Sequence, residues 1–173
     1  MLRLIIFAAA SGLCLAGTAH AEVKSASPSG FEVENKALIP AAPAQVYTAL
    51  GAIERWWASS HTYSGDAKNL RLELKAGGCF CESLKDGGSV EHMRVVYAEP
   101  GKMLRLSGGL GPLQSQAVAA TLTFTLREVP GGTEITQNYI VAGTIRGGAE
   151  PFAAPVGKVL GEQLAGLKAL FAK

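Results

Sequence analysis

The chain is short of the residues from which several large protein classes are built. It carries three cysteines in 173 residues, and two of them, Cys79 and Cys81, fall within one expected strand, so the disulfide framework of a small secreted scaffold is excluded. Charged residues make up 17 % of the sequence, with sixteen basic against fourteen acidic and no basic block. Electrostatics therefore give no reason to expect nucleic acid or an anionic surface as partner. Beyond residues 4–15 no apolar run is long enough to suggest a membrane-crossing helix. His61 and His92 fit no recognised metal-ligand spacing, and neither a phosphate-binding glycine loop nor a nucleophile elbow occurs. No cofactor is implied, no metal site is expected, and nothing in the sequence forces catalysis.

What is present begins with an address. Arg3, the apolar run 4–15 and Ala19-His20-Ala21 form the positive, apolar and small-x-small pattern of a secretory signal peptide, residues 1–21, cleaved before Glu22. A transmembrane reading is weaker, because the run is short and Ser11, Gly12 and Gly17 interrupt it. Leu13 stands where a lipoprotein signal ending at Cys14 wants a small residue. The expectation is a periplasmic or secreted protein with no transmembrane span after cleavage. Residues 22–30, rich in Ser, Pro and Gly, are expected to be a flexible tail, and residues 31–173 suit one domain.

The chain ends in an amphipathic helix, residues 151–172. Phe152, Val156, Val159, Leu160, Leu164, Leu167, Leu170 and Phe171 share one side at helical spacing, while Lys158, Glu162 and Lys168 fall away from it. Gln163 sits near the middle of the apolar face, where burial demands a partner or a cavity, and Gly157 and Gly161 weaken the helix. Residues 31–39 alternate into a first strand ending at Pro40. Pro43 opens a helix with Val46, Leu50, Ile53 and Trp57 on one face, closing in Arg55-Trp56-Trp57. A loop, residues 59–66, carries His61 and Tyr63. From Asn69 the period changes to two, with Leu70, Leu72 and Leu74, and later Leu122, Phe124 and Leu126, alternating with polar residues. Turn signals at Gly77-Gly78, Asp86-Gly87-Gly88, Pro100-Gly101, residues 108–112 and Pro130-Gly131-Gly132 divide this stretch into about six antiparallel strands. A curved antiparallel sheet on one long helix is α+β architecture.

A three-residue loop at Asp86-Gly87-Gly88 would pair Lys85 with Ser89, Leu84 with Val90, Glu82 with His92 and Phe80 with Arg94, joining apolar to apolar and acid to base. Shifting the register by one opposes Glu82 to Glu91. One face would then hold Phe80, Glu82, Leu84, His92, Arg94 and Val96. Cys79, Cys81, Met93 and Val95 would lie behind it, the two cysteines with Cα atoms near the outer limit of disulfide geometry. Bonding them to each other needs local distortion, and thiols acting as small hydrophobes are the preferred reading over redox or metal roles.

Together these segments resemble a family. A strand followed by Ala42-Pro43-Ala44-Gln45-Val46-Tyr47, Ile53-Glu54-Arg55-Trp56-Trp57, Gly77-Gly78-x-Phe80, Ala98-Glu99-Pro100-Gly101, Gly131-Gly132-Thr133 and a long last helix are similar to the SRPBCC superfamily, the START-like, birch-allergen-like helix-grip group that includes polyketide cyclases or dehydrases. The resemblance spans residues 31–173. It implies a seven-stranded, strongly bent antiparallel sheet wrapped around the C-terminal helix, two short helices after the first strand, and an apolar cavity between sheet and helix that takes lipids, sterols, polyketides or other aromatics. It brings no universal catalytic set.

Lining candidates from the residues themselves are Gln163 on the helix, Gln137 and Tyr139 on one alternating strand face, Phe80, Glu82, His92 and Arg94 from the hairpin, and Trp56 or Trp57 at the mouth. Each also has a plain structural reading, as an internal ion network, a glutamine pair or core. Three functions follow: an exported protein binding a hydrophobic or aromatic small molecule; a cyclase- or dehydratase-like enzyme with His92 and Glu82 as base and Arg94 or Tyr139 steadying negative charge; or an interaction module with a filled cavity, making contact through residues 59–66 or 108–114.

Overall fold

The computed structural model describes residues 21–172; the expected export signal, apart from Ala21, lies outside them. Eight strands form one antiparallel sheet: β1 Glu22–Ser27, β2 Gly30–Ile39, β3 Leu70–Leu72, β4 Cys79–Ser83, β5 Ser89–Glu99, β6 Met103–Ser107, β7 Ala117–Val129 and β8 Gly132–Thr144, in the order β1-β2-β8-β7-β6-β5-β4-β3. Helix α1, Pro43–Gly51, and α2, Glu150–Ala169, complete the regular structure with short 3-10 turns between them. The fold is α+β with the sheet gripping the last helix, as the alternation and the helical face require. Among the described residues no helix is long and apolar enough to cross a membrane.

Period two does the organising. Along β8, Thr133, Ile135, Gln137, Tyr139 and Val141 point inward, and Phe31, Val33, Asn35, Ala37 and Ile39 do the same along β2, to which it pairs. Helix α2 lays Ala153, Gly157, Leu160, Gly161, Leu164 and Leu167 against this surface. Each fully buried leucine contributes about 2 kcal/mol of transfer free energy. The glycines serve contact. A Cβ on Gly157 would meet Val33 at 3.4 Å, on Gly161 the Oδ1 of Asn35 at 2.9 Å, and on Gly166 the backbone carbonyl of Trp56 at 2.3 Å. At Gly166 the neighbour is fixed backbone, so the helix rides closer to Trp56 than a side chain would permit.

Three expectations about the course of the backbone need correction. Residues 22–27, read as part of a mobile tail, form β1, paired with β2 from Glu22↔Glu34 to Ser27↔Gly30; the backbone of β2 is left an open edge without it, and pairing satisfies those groups. The first helix stops at Gly51, and Ile53–Arg55 is a separate 3-10 turn. The hairpin register also differs. Ser83 pairs with Ser89, Glu82 with Val90 and Cys81 with Glu91; the register then slips, so that Phe80 pairs with Met93 and Cys79 with Arg94.

His92 is the unpaired extra residue of that slip, a β-bulge. On one side of it Val90 shares a face with Glu82; beyond it Met93 and Val95 turn inward while Arg94 and Val96 turn out. Gly108, at φ 145°, faces the bulge so closely that a Cβ would stand 2.8 Å from the His92 carbonyl oxygen. On the outer face, Cys79 and Cys81 are joined by a disulfide, with Cα atoms 5.3 Å apart. This corrects their reading as free thiols: two residues of a regular strand span about 6.6 Å, and the strand contracts here, beside the bulge.

Candidate functional site

A cavity of about 700 Å³ opens at one end of the grip, within the range that holds a small organic ligand. Three segments enclose it. Helix α2 supplies Pro151, Phe152, Pro155, Val156, Val159 and Leu160; the segment after α1 supplies Trp57, His61, Thr62 and Tyr63; and Leu110, Gly111 and Pro112 close the third side. Phe152, Val156 and Val159 belong to the apolar stripe of α2, but here they face space rather than sheet. Pro155 lies inside the helix and offers no N–H to the carbonyl four residues earlier. Trp57 is pinned by its Nε1, which donates to the His61 carbonyl at 3.0 Å. Tyr63, 54 % exposed, marks the mouth; its hydroxyl donates to the Gly111 carbonyl at 3.2 Å and so ties two of the walls together.

Among the polar residues of this largely apolar lining, His61, Thr62, Tyr63 and His92, the one held by a buried carboxylate is His92. Its ring lies 4.8 Å from that of Phe80 and 5.7 Å from that of Tyr63. Its Nε2 is 2.9 Å from Oε2 of Glu82, a carboxylate only 1 % exposed. Glu82 also accepts from the backbone N–H groups of Tyr63, at 3.1 Å, and Ser64. Burial pushes the Glu82 carboxyl up, but the hydrogen bonds from Ser64, Tyr63 and His92 outweigh it and hold the group below its ordinary range. Burial pushes His92 down, and the Glu82 charge only partly offsets this. An ionised Glu82 can only accept, so the neutral ring carries its proton on Nε2. Nδ1 is left as a lone-pair acceptor for whatever enters the cavity. His61, the other imidazole of the wall, stands 3.5 Å from Glu162 of α2.

The remaining candidates are distributed otherwise. Phe80 is buried behind His92 and packs on Trp57 at 5.2 Å between ring centroids. Trp56 is core, its Nε1 donating to the Ala49 carbonyl, so Trp57 is the tryptophan of the site. Gln137 is buried and accepts from Asn35 Nδ2 at 3.2 Å. Gln163 is buried too, its Oε1 accepting from the Ala58 N–H at 2.7 Å; it braces the loop that carries Trp57 and does not line the cavity. Tyr139 is fully buried, and burial raises its hydroxyl to about 12, offset in part by the Leu110 N–H. That hydroxyl accepts from Leu110 and donates to the Gly108 carbonyl at 3.3 Å, fixing the third wall from behind. Arg94 is a correction: the bulge places it on the outer face, 52 % exposed, bonded to Glu91 and to the Gly77 carbonyl, away from the site.

Beyond Trp57 and His92, the lining consists of residues not expected there: His61, Thr62, Tyr63, Leu110, Gly111 and Pro112 from loops, and Pro151, Phe152, Pro155, Val156, Val159 and Leu160 from α2. The loops carry no periodicity that marks a face, and the glycine and proline density at residues 108–112 was the one signal in them; the apolar stripe of α2 was legible, but not which part of it meets the hollow.

No family model matches the chain, and no curated protein does. Solved structures do match in fold. A Mesorhizobium loti protein is 20 % identical with a TM-score of 0.58, covering 80 % of this chain and 95 % of its own. A Rhizobium leguminosarum protein is 22 % identical with a TM-score of 0.58, covering 85 % and 96 %. CalU16 from Micromonospora echinospora is 16 % identical with a TM-score of 0.58, covering 88 % and 87 %. At these identities the likeness is one of fold alone.

Proposed function

We propose that this chain is a small-molecule-binding protein of the SRPBCC type, which holds an apolar or aromatic ligand in the cavity between α2 and the two loops. The observation that carries the reading is the pairing of a ligand-sized, largely apolar cavity with an oriented polar group, His92, locked from behind by buried Glu82. Apolar walls supply affinity and one fixed acceptor supplies orientation. A ligand suited to this site has an aromatic or aliphatic body and one hydroxyl or N–H that donates to Nδ1. Export belongs to the same proposal, and the N-terminal mass of the protein purified from its own host checks cleavage after Ala21.

A second reading, catalysis, is favoured by the same dyad, because a carboxylate-oriented imidazole with a free lone pair is the arrangement of a general base. The partners expected for it are otherwise engaged: Arg94 lies outside and the Tyr139 hydroxyl is bonded to Leu110 and Gly108. Titration with 1-anilinonaphthalene-8-sulfonate tests the binding proposal. Saturable fluorescence enhancement that Val156→Trp abolishes, with the thermal transition retained, supports it; uptake undiminished by that substitution overturns it.

A further inference from the structure

The disulfide lies apart from the cavity. Phe80, between the two cysteines, points inward to His92 and Trp57, so Cys79 and Cys81 face the opposite side of the sheet. They stand one strand from its edge, behind the three-residue β3. Cross-strand pairing puts Arg71 of β3 and Glu91 of β5 beside Cys81, and Arg94 of β5 beside Cys79. Arg94 is bonded to Glu91, and Glu73, just past β3, is paired with Lys75 at 3.6 Å. Arg71 is exposed and makes no ion pair or side-chain hydrogen bond among the described residues. It is the unpaired cation of the neighbouring strand at the level of Cys81, while the Glu91 carboxylate, within 4.8 Å of both sulfurs, is held by Arg94.

A bond that closes a ring around one intervening residue removes little freedom from the unfolded chain, since that contribution grows with loop length. It is a poor structural staple. A cation beside a sulfur makes it the better leaving group. Cys79 is half-buried and Cys81 buried, so the accessible sulfur is that of Cys79.

We propose that Cys79–Cys81 is a thiol-exchange site whose reaction partner is a small-molecule thiol. The thiolate of the partner attacks Sγ of Cys79; the sulfur–sulfur bond breaks and its electron pair leaves on Sγ of Cys81, opposite Arg71. A second partner thiolate attacks the partner's sulfur in the mixed disulfide and releases the Cys79 thiolate. Two thiols are thereby oxidised to one disulfide, and Cys79 and Cys81 take up the two electrons and, from solvent, the protons.

Glutathione and the purified oxidised full chain test this by alkylation and mass analysis without denaturant. The expected result is two new thiols with far-ultraviolet circular dichroism unchanged, a Cys81→Ser variant that traps glutathione on Cys79 when given oxidised glutathione, and exchange slowed roughly threefold or more in Arg71→Gln. Thiols that appear only once denaturant unfolds the chain would overturn the proposal. So would a reduced protein whose two cysteines oxidised glutathione fails to join. An Arg71→Gln rate equal to that of the wild type would reject the leaving-group assignment.

Discussion

His92 is the residue on which the cavity's chemistry turns, and its environment makes a pH-dependent prediction. Its folded pKa lies below the ordinary 6.5, because burial disfavours the imidazolium more than Glu82 favours it. The unfolded chain therefore binds the proton first, and stability present above about pH 6.5 is lost as pH falls toward the lower folded value. Glu82, lowered from 4.5, adds loss of the same sign at more acidic pH. Urea unfolding at pH 7 and pH 5 should show a wild-type decline that His92→Phe reduces; an unchanged decline would show that another group titrates. Glu82→Gln substitutes a donor for one of the oxygens that face only donors, and should cost roughly 2–3 kcal/mol by the same assay. The pair itself was legible in the sequence, since acid and base stood within one hairpin. The bulge that delivers it was not, because one unpaired residue leaves no mark on an alternating pattern; it is why Arg94, assigned to the same face, sits outside.

Helix α2 and its apolar face were legible from the 3.6-residue period, and so were the six strands that follow Asn69, from the period of two and the glycine turns. The glycines of α2 read from sequence only as weak points of a helix. In the structure Gly166 presses on the Trp56 carbonyl, at 2.3 Å from an added Cβ, so the missing side chain is a contact. Gly166→Ala gains about 1 kcal/mol of helix propensity but forces overpacking that costs about 1–3 kcal/mol. The expected outcome is a net loss of stability in urea, whereas a stabilised variant would show that the helix shifts freely. Strand β1 was not legible: the Ser, Pro and Gly of residues 22–30 resemble a linker, and what makes residues 22–27 a strand is the open edge of β2, a property of the assembled sheet.

For the molecule as a whole, a long amphipathic helix and a curved sheet told of a grip and of a hollow, while half of the lining of the hollow lies in residues 57–63 and 110–112, where composition carries no facing information, and most of the rest on the first half of α2. Of the nine lining candidates, Trp57 and His92 border the cavity, and Trp56, Phe80, Glu82, Gln137, Tyr139 and Gln163 support it from the core. The account rests on that hollow being a binding site. Native mass spectrometry of the protein purified from its own host, followed by denaturing extraction, measures it most directly. The account predicts a discrete small-molecule adduct, lost on denaturation and absent from folded Val156→Trp. An empty wild-type protein that also fails to take up 1-anilinonaphthalene-8-sulfonate would contradict it.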